Sequence, residues 1–206
     1  MPRPRFQKLS IEKQQAILEA AAREFSAHGY EGASINKILE TAQLSKGAAY
    51  YYFDDKADLF AATVNYYAGD LISELNSMVE NITAERFWST LEEMYVKQFV
   101  YFHAKPWAFG TLKAAGRLSD AEMVRRPALA ALMGGVVEGL TRFLQQGRSL
   151  GVVRSDLPDS LLAALFIGVD DAGDRWLLAR WETLTRDELL TFARQIMDGI
   201  RRMLAA

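Results

Sequence analysis

Apolar residues recur at every third or fourth position along several stretches of this chain, which is the spacing of amphipathic helices. The stretches with this spacing are residues 11–28, 55–80, 84–104, 119–148, 158–182 and 185–204. Gly29 follows the first stretch, where a glycine commonly ends a helix. Thr185 and Glu188 open the last stretch with the spacing of a capping box. The pattern predicts an all-α protein.

Residues 34–56 read SINKILETAQLSKGAAYYYFDDK and predict two short helices joined by a tight turn. Ser34 and Ser45 suit the N-caps of these helices, because a serine hydroxyl accepts a hydrogen bond from a first-turn N–H group. Three consecutive tyrosines spread over about 200° of the second helix, so at least one ring must face outward. Small, aromatic and basic residues together are typical of a recognition helix in a DNA groove. Capped αα-hairpins also occur in proteins that bind no DNA.

Residues 33–60 resemble the helix-turn-helix signature of TetR-family transcriptional regulators. The positions that match the signature are Ser34, Leu44, Ser45, Lys46, Gly47, Tyr50, Phe53, Lys56 and Leu59. Two positions depart from it. Gln43 stands where the family usually has a glycine in the turn, and Ala48 stands where a threonine or serine often contacts DNA. Both departures bear on which DNA sequence is preferred.

The resemblance implies a three-helix helix-turn-helix domain over residues 1–54. A long helix would join it to a helical ligand-binding and dimerisation domain over residues 55–206. It further implies a repressor that binds a palindromic operator in double-stranded DNA and responds to a small-molecule effector, as a homodimer formed through the last two helices. The predicted DNA contacts are Ser34, Asn36, Ser45, Lys46, Gly47, Ala48, Tyr50, Tyr51 and Lys56. The sequence leaves open whether the effector releases DNA or strengthens its binding.

The stretch 84–104 is the most aromatic part of the chain, and several of its rings lie close to one helical face. Such rings either fill a core or line an apolar pocket with a few polar groups, and both interpretations stay open. For a pocket that takes a small hydrophobic or aromatic effector, the candidate contacts are Trp88, Tyr95, Phe99, Phe102, His103, Trp107 and Asp171. Asp171 either pairs with Arg175 four residues on or recognises a cationic effector beside the rings. For a filled core, the chain would be a DNA-binding regulator without a small ligand.

The 206 residues contain no cysteine and carry a net charge of −2. Without cysteine, disulfides and thiolate metal sites are excluded, which suits the cytoplasm. The N-terminal residues have no apolar signal region, and no uninterrupted apolar run approaches the roughly 18 residues of a membrane span. With two histidines and no glycine-rich phosphate loop after a strand, nothing indicates an enzyme. We therefore expect no catalytic site, metal, cofactor or membrane partner.

The first ten residues form a basic arm that contains two prolines, and we expect it to be disordered in the free protein. Arg3, Arg5 and Lys8 precede the first acidic residue of the chain. Such an arm either reaches DNA or acts as a solubilising tail. Residues 1–56 contain eight basic and seven acidic residues, so the placement of the charges matters more than their sum.

Overall fold

A computed structural model describes residues 2–45, 51–79, 82–181 and 183–206, and most of these residues are helical. The helices are α1 Pro4–Gln7, α2 Ile11–Gly32, α3 Ile35–Thr41, α4 Lys56–Val79, α5 Phe87–Ala104, α6 Pro106–Gly116, α7 Asp120–Val124, α8 Pro127–Ser149, α9 Asp159–Leu178 and α10 Arg186–Leu204. This confirms the all-α prediction. Val153 and Ala205 form an isolated antiparallel bridge that ties the end of the chain to the loop after α8.

Side-chain caps define several of the helix starts. Ser34 accepts a hydrogen bond from the Lys37 N–H group, as predicted, and Thr185 and Glu188 form the predicted capping box at α10. Gly29 has a φ of 67°, in the left-handed region that glycine adopts at low cost, and it interrupts α2 three residues before its end. The break therefore falls where the sequence predicted the first helix to end.

The described chain divides into two compact units. The headpiece unit comprises Met1–Leu71 and Lys105–Gly134, and the C-terminal unit comprises Ile72–Ala104 and Gly135–Ala206. The sequence-based division between residues 54 and 55 stays a prediction. What the sequence did not indicate is that α6 and α7 group with the helix-turn-helix region.

The core of the headpiece unit forms where α2, α3 and the start of α4 meet α6. Phe25 and Phe60 are fully buried and pack edge to face, with ring centroids 4.6 Å apart. Helix α6 lies close to α2, because Gly110 has no side chain and faces Ser26. The Thr111 hydroxyl donates to the Ala22 carbonyl at 2.8 Å. These contacts fix α6 on the first long helix.

The core of the C-terminal unit is built mainly from α5, α8, α9 and α10. Phe87 and Phe143 are buried and stack with ring centroids 4.3 Å apart. Gly147 lies against Phe87, where a Cβ atom would come within 2.4 Å of the ring. The ring stack thus sets how closely α8 approaches the start of α5.

One described helix, Pro127–Ser149, is long and apolar enough to cross a membrane by length and composition. A single such helix is a weak indication, because core helices of proteins outside membranes meet the same criterion. Its polar face carries Glu138 and Arg142, whose charged atoms lie 3.9 Å apart.

Candidate nucleic-acid interface

Helix α3 presents polar side chains to solvent and buries two apolar ones. Ser34, Asn36 and Lys37 are exposed, whereas Ile38 and Leu39 lie in the core. The Ser34 N–H group donates to the Glu24 carboxylate at 3.0 Å, and the Ser34 hydroxyl caps α3. The start of α3 is therefore held on α2 with its polar face outward.

A shallow, open pocket lies along this face of α3, with a volume of about 490 Å³. The residues that line it are Ser34, Asn36, Lys37, Leu39, Glu40 and Leu44. Lys37 pairs with Glu40 at 3.0 Å, which places a cation and an anion side by side. Two of the predicted DNA contacts, Ser34 and Asn36, thus share one concave surface.

The turn after α3 is a Schellman motif, which is a common helix C-terminus. The Leu44 N–H group donates to the Leu39 carbonyl at 2.8 Å, and the Gln43 N–H group donates to the Glu40 carbonyl at 3.1 Å. Gln43 has a φ of 55° and occupies the left-handed position of this motif. Gln43 therefore adopts the left-handed conformation at the position where the family usually has a glycine.

The predicted recognition helix lies only partly within the described residues. Lys46, Gly47, Ala48 and Tyr50 lie outside them, and their DNA contacts stay predictions. Ser45 is exposed at the end of the turn.

The last two tyrosines of the run differ in exposure. Tyr51 and Tyr52 are helical. Tyr51 is the outward-facing ring, with 49% of its surface exposed, whereas Phe53 two residues later is buried. Tyr51 is thus available to a partner, while Phe53 anchors the segment in the core.

Lys56 has partners within the headpiece unit. Its ammonium group donates to the carbonyls of Glu31 and Ala33 at 2.9 and 3.2 Å, and it lies 4.9 Å from the centre of the Tyr30 ring. A cation there satisfies carbonyls at the C-terminal end of α2 and interacts favourably with the helix dipole. A phosphate contact by Lys56 stays a prediction.

The N-terminal arm is ordered, whereas its composition predicted disorder. It forms helix α1 and buries Phe6, which is 4% exposed and packs on Phe53 with ring centroids 4.9 Å apart. Arg3 pairs with Asp54 at 2.7 Å. The burial of an aromatic ring offsets the entropy that the arm loses on ordering. The basic, proline-containing composition hid this, and the signal was the single aromatic residue, Phe6, within the arm.

A buried phenol–carboxylate cluster lies in the C-terminal unit. The Tyr95 hydroxyl donates to the Asp170 carboxylate at 2.6 Å. Burial, followed by the charges of Asp170 and Asp174, raises the pKa of Tyr95 well above its usual range. Asp174, one turn further along α9, is only 2% exposed.

The other predicted effector contacts on α5 differ in burial and in their neighbours. Phe99 and Phe102 are buried, and Trp88 is half-buried. The ring centroids of Phe99 and Tyr95 are 4.9 Å apart. His103 lies 6.5 Å from Trp181, measured between ring centroids.

Trp107 and Asp171 have other partners. Trp107 belongs to the headpiece unit, where the guanidinium carbon of Arg23 lies 3.6 Å from the centre of its ring. Asp171 pairs with Arg175. On α9, Asp170 and not Asp171 meets an α5 ring. The apolar spacing through Phe166 and Leu177 could have indicated this, because residue 170 falls on that buried face.

Comparison with known proteins places the helix-turn-helix region in a family. The family described as "Bacterial regulatory proteins, tetR family" matches residues 17–63. The transcriptional repressor AcnR of Corynebacterium diphtheriae is 48% identical over 50 residues, which are 24% of this chain and 26% of AcnR. The matched segments span 26% to 38% of the AcnR proteins from three Corynebacterium species.

Two solved structures share the fold over nearly the whole chain. FadR of Bacillus subtilis, in complex with stearoyl-CoA, has a TM-score of 0.74 at 19% identity and covers 90% of this chain and 96% of its own. SmeT, the repressor of the Stenotrophomonas maltophilia multidrug efflux pump SmeDEF, has a TM-score of 0.73 at 17% identity and covers 98% and 93%. A complex of SmeT with triclosan has the same TM-score.

A capped helix, a Schellman turn and an outward tyrosine on a helical scaffold fit the helix-turn-helix region that the family match covers. The fold class predicted for residues 1–206 is confirmed. The helix-turn-helix region of the chain, residues 17–63, matches the TetR family of bacterial regulatory proteins.

Proposed function

We propose that this protein is a ligand-responsive transcriptional regulator, most simply a repressor that binds a palindromic operator in double-stranded DNA and is released by a small hydrophobic or aromatic effector. The observation that carries the proposal is the geometry of α3 and its turn. Ser34 fixes the start of α3, and Gln43 keeps the turn that leads into the predicted recognition helix. That helix would enter a major groove.

The predicted contacts divide into two groups. One group would contact the groove and its phosphates from the recognition helix: Ser45, Lys46, Gly47, Ala48, Tyr50 and Tyr51. Ser34 and Asn36 on α3, together with Lys56, would contact phosphates beside that helix. Phosphate contacts position a protein on DNA, whereas contacts to base edges give sequence preference.

A homodimer through the last two helices, α9 and α10, would place two recognition helices on one face of the duplex. Two apolar side chains of α9 support this pairing, because Leu161 and Trp176 remain exposed in the single chain and fall within about 60° of each other around the helix. Pairing would place two half-sites one helical turn, or a multiple, apart.

The effector would bind in the C-terminal unit. FadR with stearoyl-CoA and SmeT with triclosan support an apolar ligand for this chain. Tyr95, Phe99 and Phe102 are its candidate contacts. The effector would release DNA only if it binds the DNA-incompetent conformation more tightly, because a ligand shifts an equilibrium by its difference in affinity.

A second candidate is a DNA-binding regulator whose C-terminal unit has a filled core and takes no small ligand. The direct stacking of Phe87 on Phe143 and the contact of Tyr95 with Phe99 favour it. A cytoplasmic location and the absence of enzymatic activity belong to both candidates.

Selection of bound sequences from a random duplex library tests DNA binding. The expected result is enrichment of an inverted repeat whose half-sites lie one helical turn or a multiple apart. If the bound duplexes show no enrichment of any sequence over the starting library, the result would contradict the proposal.

Thermal unfolding with triclosan, stearoyl-CoA and a lipophilic cation separates the two candidates. A ligand that binds the folded state raises the midpoint, and we expect such a ligand also to release the selected duplex. No shift with any of the three would favour the filled core.

A further inference from the structure

We propose that the N-terminal arm, residues 3–8, is an ordered part of the DNA-binding surface, in which Arg5 contacts a backbone phosphate beside Tyr51. The inference rests on the proposed function, because the partner is DNA. It adds a phosphate contact outside the helix-turn-helix signature, in a segment whose composition predicts disorder in the free protein.

Three kinds of contact hold the arm on the end of the predicted recognition helix and the residues just after it. The Arg3 N–H group donates to the Tyr52 carbonyl at 2.9 Å. The Arg3 guanidinium donates to the Asp54 carboxylate at 2.8 Å. The Phe6 ring is buried against Phe53. The arm therefore has a fixed path across this segment.

This path places Arg5 over Tyr51. The guanidinium carbon of Arg5 lies 4.4 Å from the centre of the Tyr51 ring, and both side chains are exposed. A guanidinium stacked by its face keeps its N–H groups at the edge, where a phosphate is bound in a bidentate manner. Stacking also restricts the side chain, so less entropy is lost when a phosphate binds.

The position of Tyr51 favours DNA as the partner. Tyr51 lies at the end of the predicted recognition helix, where its hydroxyl is a phosphate donor. Arg5 adds a cation directly over this ring. Because residues 1–56 are almost neutral in sum, a single well-placed arginine changes the local potential substantially.

A phosphate contact by Arg5 would add affinity without sequence preference. It would also add to the salt dependence of binding, by about 0.9 in the slope of log affinity against log salt concentration. This predicts a similar loss on the preferred duplex and on a scrambled one when Arg5 is replaced.

The test is fluorescence anisotropy of the full chain with the selected duplex and a scrambled duplex, over NaCl from 50 to 200 mM. Arg5→Gln should weaken binding roughly 5- to 10-fold near 0.1 M salt and lower the slope by about 0.9. Lys8→Gln is the matched control, because it removes one exposed positive charge from the same arm. It should change the slope by less than half as much.

A second pair of variants tests whether order in the arm matters. Phe6→Ser removes the anchor and keeps the charge of Arg5, and it should lose most of what Arg5→Gln loses. Phe6→Leu keeps an apolar anchor and should stay near wild type. Thermal unfolding checks that each variant is folded. If Phe6→Ser does not fold, the comparison of Arg5→Gln with Lys8→Gln alone decides whether Arg5 contacts a phosphate.

Equal effects of Arg5→Gln and Lys8→Gln would overturn the inference, because the arm would then act only through its total charge. Equal affinity of the wild type for both duplexes would count against the proposed sequence-specific function, while the comparison of slopes would still decide the role of Arg5. A wild-type protein that binds neither duplex would overturn both.

Discussion

In the headpiece unit the Tyr51 ring reaches the surface, whereas in the C-terminal unit the Tyr95 ring is buried and bonds to a carboxylate. Ser34 and Lys56 bond to backbone groups at helix ends, and Tyr51 stays exposed. In the C-terminal unit, Tyr95 and Asp170 meet between α5 and α9. Tyr51 is therefore available to a partner, while Tyr95 contributes to the packing of its own unit.

The largest expected effect separates core packing from a ligand site in the C-terminal unit. Phe99→Ala should lower the free energy of unfolding by about 3 to 5 kcal/mol, because it leaves a cavity at a buried ring. Trp88→Ala, at a half-buried ring on the same helix, should cost less than about 2 kcal/mol. Denaturant unfolding measures both. A small effect of Phe99→Ala with loss of effector response would instead make Phe99 a pocket residue.

Tyr95→Phe should lower the free energy of unfolding by about 1.5 to 3 kcal/mol near pH 7, because it removes a hydrogen bond to a carboxylate. The folded state raises the Tyr95 pKa. Above pH 10 the unfolded chain therefore releases a proton that the folded protein keeps, and wild-type stability falls by up to about 1.4 kcal/mol per pH unit. This fall should be shallower in Tyr95→Phe.

Denaturant unfolding from pH 7 to 11 measures the difference in the free energy of unfolding between the wild type and Tyr95→Phe. Because both proteins contain the other tyrosines, the effect of their titration cancels in this difference. The stability that Tyr95 contributes is present below pH 10 and is lost as the pH rises. A gap that stays constant across this range would contradict a raised Tyr95 pKa.

Gly110→Ala tests the contact of α6 with α2 within the headpiece unit. The added Cβ atom would lie 2.0 Å from the Ser26 hydroxyl oxygen and 2.9 Å from its Cβ atom. Part of this clash cannot be relieved by rotation of the hydroxyl, so we expect a loss of about 1 to 3 kcal/mol. Gly116→Ala on the same helix meets no atom within 4 Å and should leave thermal stability unchanged or slightly raised.

The smallest effect has the opposite sign. Gln43→Gly should raise the free energy of unfolding by about 1 kcal/mol, because the left-handed conformation is costly for a residue with a Cβ atom. Gln43→Ala keeps that cost and serves as the control. A lower midpoint for Gln43→Gly in thermal unfolding would mean that the glutamine side chain stabilises the turn.

The helix-turn-helix region could be predicted because its signals are local. A serine cap at Ser34 and a break at Gly29 depend on backbone chemistry within a few residues, and the structure confirms both. The order of the arm was missed, because Phe6 indicates only that an apolar anchor exists, and its partner Phe53 is distant in sequence.

The role of the aromatic stretch, residues 84–104, was harder to predict from the sequence for a related reason. Its composition is the same for a filled core and for a pocket, and only the packing across helices distinguishes them. Three aspartates in the second half of α9, Asp170, Asp171 and Asp174, look equivalent in sequence. Their roles differ because Asp170 faces α5, whereas Asp171 faces Arg175 on its own helix.

Sequence-specific DNA binding is the central claim, and the ratio of two dissociation constants tests it most directly. The measurement is anisotropy of the full chain at 0.15 M salt with the selected inverted repeat and with a scrambled duplex of equal length. We predict that the repeat binds at least about 10³-fold more tightly. A ratio near one would contradict the claim.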